Sequence, residues 1–128
     1  EGVNYFNADD LEKNKPLMII YFDPDCGHCE QFTKSITKNI QQFGNTQIVM
    51  ICGTGNINLL KKFVSDNGLN KYSNIKAGTE GIYHATMNFY HVDITPFTAL
   101  YNSKGLLITY YRRVPAVNDL IVHLKQRF

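Results

Sequence analysis

The amino-acid sequence predicts an α/β fold in which helices cover both faces of a mixed β-sheet. Residues 17–22 are six consecutive apolar or aromatic residues, typical of a central strand buried on both faces. A helical pattern and a second apolar run, residues 48–51, follow, and such a strand–helix–strand unit favours a parallel pair. Residues 97–101 and 106–111 flank Asn102-Ser103-Lys104-Gly105, a turn sequence typical of an antiparallel hairpin. The predicted order is therefore β-α-β-α-α-β-β-α.

Length and composition fit one folded domain. The chain has 128 residues, of which 44% are hydrophobic and 19% charged. We expect residues 1–15 to form an N-terminal extension with a packing role, and residues 16–128 to form the domain. The net charge of +2 is spread without a basic stripe, which argues against nucleic acid as a partner. No apolar run approaches the ~18 residues of a transmembrane helix, so no membrane span is expected in this chain.

The helices are predicted from apolar residues at helical spacing. A first helix carries Phe32, Ile36, Ile40 and Phe43 and ends at Gly44. A second contains Leu59, Leu60, Phe63 and Val64, and Asn67-Gly68 ends it. Thr79 is expected to cap a third helix through Ile82, Ala85, Thr86 and Phe89, with Glu80 in its first turn. Pro115 opens a last helix with Val117, Leu120, Ile121, Leu124 and Phe128 on one face.

Two weaker elements complete the prediction. A short turn of helix is expected at Asp9-Asp10-Leu11, before Pro16, and a short edge strand around Ile75.

The segment Cys26-Gly27-His28-Cys29 joins the first strand to the first helix and is the candidate site. Cys26 lies at or just before the first helical turn, where unpaired N–H groups and the helix dipole favour a thiolate. Cys29 follows three residues later on the same helical face and can close a disulfide with it. We predict that Cys26 attacks, that Cys29 resolves the mixed disulfide, and that His28 assists through a hydrogen bond or positive charge.

The third cysteine, Cys52, ends the second apolar run. Two interpretations stay open: it is a small core residue, or a third thiol near the site that takes part in side disulfides.

Together with a Thr95-Pro96 pair that opens the hairpin, the C-x-x-C motif makes residues 16–128 resemble the thioredoxin fold. The resemblance implies that Pro96 follows a cis peptide bond and faces the two cysteines. It also implies that the Thr95 backbone pairs with an extended substrate chain. We expect Gly27 and Asp25, beside Cys26, to contact that substrate too.

The Cys-Gly-His-Cys sequence is similar to that of protein disulfide isomerases, whereas its surroundings resemble the bacterial TlpA/ResA-like branch. Lys15-Pro16, the helix between Thr79 and Phe89, and the turn at 101–105 carry this second resemblance. It implies a periplasmic or otherwise extracytoplasmic thiol-disulfide oxidoreductase of the bacterial envelope. The implied partners are protein thiols or disulfides, with a membrane electron donor or acceptor as a further candidate; no metal or organic cofactor is required.

Three positions depart from the family pattern. Asp25 stands where thioredoxins carry Trp, and Ile20 and Phe32 stand where relatives carry a buried acid. Asp23, Asp25 and Glu30 instead form an acidic rim, which opposes a thiolate and favours basic partners. The direction of electron flow therefore stays open.

Other functions are weaker alternatives. A peroxidase of the peroxiredoxin type requires Thr or Ser where Asp23 stands. Metal handling would be either zinc binding by Cys26, His28 and Cys29 or copper delivery with a distant histidine, His91 or His123, but one C-x-x-C pair is a weak metal signal. A purely structural Cys26–Cys29 disulfide, or a non-catalytic interaction module on the same fold, is the remaining alternative, and accessibility of Cys26 discriminates it.

Overall fold

The structure is a computed structural model that describes residues 11–53, 55–80 and 84–125. The described residues form five strands and four α-helices, in the predicted order with the edge strand added between the second and third helices. They are β1 (Leu17–Phe22), α1 (Gly27–Lys38), β2 (Gln47–Cys52), α2 (Ile57–Asp66), β3 (Ile75–Thr79), α3 (Ala85–Tyr90), β4 (Phe97–Tyr101), β5 (Leu107–Tyr111) and α4 (Val117–Lys125).

The strands form one mixed sheet in the order β3-β2-β1-β4-β5. The central strand, β1, runs parallel to β2, with Ile20 opposite Met50, and antiparallel to β4, with Ile20 opposite Thr98. The hairpin of β4 and β5 is antiparallel, as predicted. The uninterrupted apolar sequences of β1 and β2 are explained by their position, since the sheet covers both of their edges and helices cover both faces.

Alternate residues of β1 enter two different apolar layers, which confirms the predicted fold class. Met18, Ile20 and Phe22 pack on one face, with α1, α2 and α4. Tyr21 packs on the other face, where α3 contributes Met87 and Tyr90.

The predicted first helix is divided into two pieces. α1 ends at Lys38, and residues 40–43 form a separate 3₁₀ turn that ends at Gly44. The break lies at Asn39, whose backbone leaves the helical region and whose side-chain amide donates to the Ser35 carbonyl at 2.8 Å. Phe43 is still buried, so the apolar spacing predicted burial correctly and continuity wrongly.

The prediction for Thr79 was wrong. Thr79 is the last residue of β3, the predicted edge strand, and its hydroxyl donates to the Cys52 carbonyl at 3.1 Å. α3 starts only at Ala85, so Glu80 is outside the helix; Ile82 lies outside the described residues. Sheet pairing with β2 outweighs the capping preference of this threonine because it satisfies more backbone groups.

Smaller differences concern the ends of the chain. α4 begins at Val117, two residues after Pro115, and Leu120, Ile121 and Leu124 are buried as predicted. Phe128 and most of the expected turn at Asp9-Asp10-Leu11 lie outside the described residues. None of the helices in the described ranges has both the length and the apolar character needed to cross a membrane.

Candidate redox-active site

The loop after β1 holds Cys26 at the start of α1. The backbone N–H of Asp25 donates to the Asp23 carboxylate at 3.0 Å, and the N–H of Cys26 donates to the Asp23 carbonyl at 3.0 Å. Cys26 is the N-cap residue of α1. Its sulfur therefore occupies the position where a side-chain acceptor meets the unpaired N–H groups of the first turn.

The two sulfurs of the C-x-x-C motif differ in environment. The Cys26 sulfur accepts a hydrogen bond from the Cys29 N–H at 3.3 Å. Cys26 is half-buried, whereas Cys29 is only 1% exposed and belongs to the core. Both are thiols in this structure. An incoming disulfide can reach Cys26 first.

Thr95 contacts Cys26 although it lies far away in sequence. The Cys26 thiol donates to the Thr95 carbonyl at 3.8 Å across 69 residues of chain. The side chain of Thr95 acts to lower the pKa of both thiols. The Thr95–Pro96 peptide is cis and Pro96 is buried, so the implied cis-proline is confirmed.

Hydrogen bonding and burial separate the acidities of the two thiols. Burial alone raises the pKa of Cys26, but hydrogen bonds from the Cys29 side chain and N–H, the Thr95 side chain and the His28 N–H outweigh it, and the pKa is lowered. Burial is the main cause that raises the pKa of Cys29 to about 12, and the neighbouring Cys26 sulfur raises it further. Cys26 is therefore the better thiolate, and Cys29 holds its proton.

His28 and Gly27 occupy the exposed first turn of α1. The backbone N–H of His28 contributes to the lowered pKa of Cys26, while its imidazole lies in solvent. A Cβ at Gly27 would meet no atom within 4 Å, so this position leaves open space next to the sulfur. Assistance by the His28 side chain and substrate contact by Gly27 stay predictions.

Two residues of the acidic rim, Asp25 and Glu30, line a groove of about 310 Å³ beside Cys26. Asp25, Glu30 and Asp66 contribute carboxylates to it, and Lys62 pairs with Asp66 at 2.6 Å. This groove therefore carries an excess of negative charge, as the sequence predicted for the rim.

Cys52 is fully buried at the end of β2, in the same apolar cluster as Cys26 and Cys29. This burial favours the interpretation of Cys52 as a core residue.

Sequence reasoning missed a polar cluster behind the loop, on the other face of the sheet. The hydroxyl of Tyr21 faces the Glu80 carboxylate, and His84 Nδ1 lies 3.9 Å from Glu80 Oε2. Burial raises the pKa of Tyr21, and Glu80 raises it further. Only glycine at position 53 leaves room for this hydroxyl, because a Cβ there would overlap it. The sequence signal was Tyr21, the one side chain with a hydroxyl in an otherwise apolar strand.

Glu80 also contacts the start of α3. Its two carboxylate oxygens accept the backbone N–H groups of Thr86 at 2.7 Å and Met87 at 3.3 Å. The residue that was expected inside the helix thus caps it from outside.

The geometry gives no support to metal handling. Within the described ranges, no three His, Cys, Asp or Glu side chains are grouped so that they could hold a metal ion. His123 instead contacts the Tyr111 hydroxyl at 3.3 Å and the Asp119 carbonyl at 2.8 Å.

A mixed five-stranded sheet, a C-x-x-C motif at a helix N-terminus and a cis-proline beside it together define the thioredoxin fold. No protein-family model matches the sequence, and no curated protein sequence matches it significantly.

Solved structures share this fold at low sequence identity. A thiol-disulfide isomerase from Corynebacterium glutamicum is 16% identical, with a TM-score of 0.72 over 98% of this chain and 89% of that one. A secreted Mycobacterium tuberculosis disulfide oxidoreductase, homologous to DsbE of E. coli, is 18% identical, with a TM-score of 0.71 over 87% of this chain and 81% of that one. StoA from Bacillus subtilis is 16% identical, with a TM-score of 0.67 over 88% of this chain and 84% of that one.

Proposed function

We propose that this protein is a thiol-disulfide oxidoreductase that exchanges disulfides with protein substrates through Cys26 and Cys29. The observation that carries the proposal is the asymmetry of the pair: a half-exposed Cys26 with a lowered pKa next to a buried Cys29 with a pKa of about 12. The similar structures that are described as oxidoreductases or an isomerase support the same reaction class.

The reaction proceeds by two exchanges. In the reducing direction, the Cys26 thiolate attacks one sulfur of a substrate disulfide; the Cys26–substrate bond forms and the other substrate sulfur leaves as a thiolate. Cys29 then attacks the Cys26 sulfur: the Cys26–Cys29 disulfide forms, the Cys26–substrate bond breaks, and the proton that Cys29 gives up ends on the leaving substrate sulfur, which departs as a thiol. The substrate gains two electrons and the protein loses two. The same steps in reverse oxidise a substrate dithiol.

The remaining site residues hold the substrate. The Thr95 backbone, next to buried Pro96, pairs with an extended substrate segment in this proposal, and Gly27 and Asp25 contact it from the α1 side. The half-exposed Cys26 favours this function over a non-catalytic interaction module, which does not require an accessible sulfur.

We infer that residues 16–128 form the catalytic domain. We also infer that the protein works in the bacterial envelope, outside the cytoplasm. The secreted location in the name of the M. tuberculosis structure supports this placement. An enzyme there needs a redox partner, and a membrane electron donor or acceptor is our candidate.

The test is a redox titration in glutathione buffers, read by thiol alkylation and mass, in a Cys52→Ala background. We expect one reversible two-electron couple. A reduction potential of about −270 mV indicates a reductase, and a potential of about −180 mV indicates an oxidase or isomerase. Cys26→Ser and Cys29→Ser each abolish the couple, but only Cys29→Ser accumulates a mixed disulfide with glutathione. Absence of a reversible couple, or trapping by both variants alike, refutes the proposal.

A further inference from the structure

A second cavity, of about 360 Å³, opens on the Thr95 side of the active site. It lies between the loop after β1, the end of β2 and α3. Its wall includes Tyr21, Asp23, Asp25, Gly53, Met87 and Thr95. Because the Thr95 carbonyl accepts the Cys26 thiol hydrogen bond, this cavity adjoins the position of the reacting sulfur.

The Tyr21 hydroxyl lies at the inner wall of this cavity. Tyr21 is 2% exposed, and its hydroxyl has no hydrogen-bond partner of normal geometry in the described part of the chain. The hydroxyl meets Gly53, which also lines the cavity. The O–H of Tyr21 faces the Glu80 carboxylate, and its oxygen can accept a hydrogen bond from a ligand donor.

The charged side chains that line the cavity have one sign. Asp23 and Asp25 are both exposed, and the Glu80 carboxylate lies behind Tyr21, with His84 Nδ1 3.9 Å from it. No Lys, Arg or His is present among the described residues that line it.

In order of burial, apolar side chains follow the exposed carboxylates and precede the buried Tyr21: Leu59 and Met87 are half-buried. A long basic side chain matches this order, because its methylene groups pack on apolar atoms while its charged end donates to oxygen.

We propose that this cavity is a substrate subsite that binds the Lys or Arg side chain of a residue near the reacting cysteine of a protein substrate. The inference rests on the proposed function, since the substrate chain must lie along Thr95. A peptide in that position has its cysteine at Cys26, so a residue within about three positions of that cysteine reaches the cavity.

The test compares peptides that differ only in one side chain. Each peptide carries one cysteine, as a mixed disulfide with glutathione, and Lys, norleucine or Glu at one position from −3 to +3. The second-order rate of reaction with the reduced protein is measured by acid quench and mass. We expect Lys to exceed norleucine about tenfold at one position, which corresponds to ~1.4 kcal/mol, and Glu to be slowest.

Two variants of the cavity wall test whether the preference for Lys arises in this cavity. Tyr21→Phe removes only the hydroxyl, and Asp23→Asn removes a charge but keeps the acceptor for the Asp25 N–H. Both are expected to lower the Lys-to-norleucine ratio at least threefold. Glu30→Gln is the matched control, because it removes one carboxylate from the neighbouring groove. Its ratio is expected to stay at the wild-type value.

The outcomes separate the two proposals. A ratio near one at every position overturns the subsite, as does a loss with Glu30→Gln equal to that with Asp23→Asn. Hydroxyethyl disulfide, a small neutral substrate, is measured in parallel. If the reduced protein does not react with it or with any peptide, the proposed function itself fails.

Discussion

The difference in acidity between Cys26 and Cys29 predicts strongly selective alkylation of the reduced protein. At pH 7, a thiol with a pKa of about 12 is a thiolate in only about one molecule in 10⁵. A thiol with an ordinary pKa of 9.0 is about 1% ionised at that pH, and the lowered pKa of Cys26 gives it a larger fraction. Because the thiolate is the reacting form, iodoacetamide should modify Cys26 at least about a thousandfold faster than Cys29.

The assay is a pH series of alkylation rates, read by peptide mass, with glutathione as the reference thiol. The rate at Cys26 should reach half of its maximum at a lower pH than the rate for glutathione. Cys29→Ala should move this midpoint upward, because it removes a side-chain hydrogen bond to the Cys26 sulfur. Cys29→Ser keeps a donor and should move it less. Comparable rates at the two cysteines, or a Cys26 midpoint at or above that of glutathione, would refute the reasoning.

Three further predictions concern stability, measured by urea unfolding. As pH rises from about 8.5 to about 12, the free energy of unfolding of the reduced protein should fall by ~1.4 kcal/mol per pH unit from Cys29 alone, because this thiol ionises first in the unfolded chain. The free energy of unfolding of Cys29→Ala should fall less over the same range. Gly53→Ala should cost about 1–3 kcal/mol through overlap with the Tyr21 hydroxyl, and adding Tyr21→Phe should restore most of it. Phe63→Ala should cost about 3–5 kcal/mol, since this buried ring packs on Phe22 with 4.7 Å between the ring centroids. A loss below about 1 kcal/mol would contradict that packing.

Much of the candidate site was predictable because its signals are local in sequence. An apolar run that ends at Phe22, followed by cysteines at helical spacing, places Cys26 at a helix start with no tertiary information. Thr95 and Pro96 were predicted through resemblance to a fold, and the structure brings Thr95 to the sulfur as that fold implies.

The errors lie where distant contacts decide between local alternatives. Thr79 has the chemistry of a helix cap, but pairing with β2 placed it in a strand. The break at Asn39 could not be predicted from the apolar spacing, because that spacing continues through it. Phe43 is buried in the 3₁₀ turn, as it would be in a continuous helix.

The sequence by itself determined β1, β2, the hairpin of β4 and β5, and the helix start that favours a thiolate at Cys26, because each depends on apolar periodicity and on residues within a few positions. Only the tertiary structure shows why the two thiols differ so widely in pKa, since the burial of Cys29 and the approach of Thr95 depend on chain segments far apart. The cavity at Tyr21 has the same origin. Its hydroxyl, Gly53 and Glu80 lie at the carboxyl ends of β1, β2 and β3, and the pairing of these three strands brings them together.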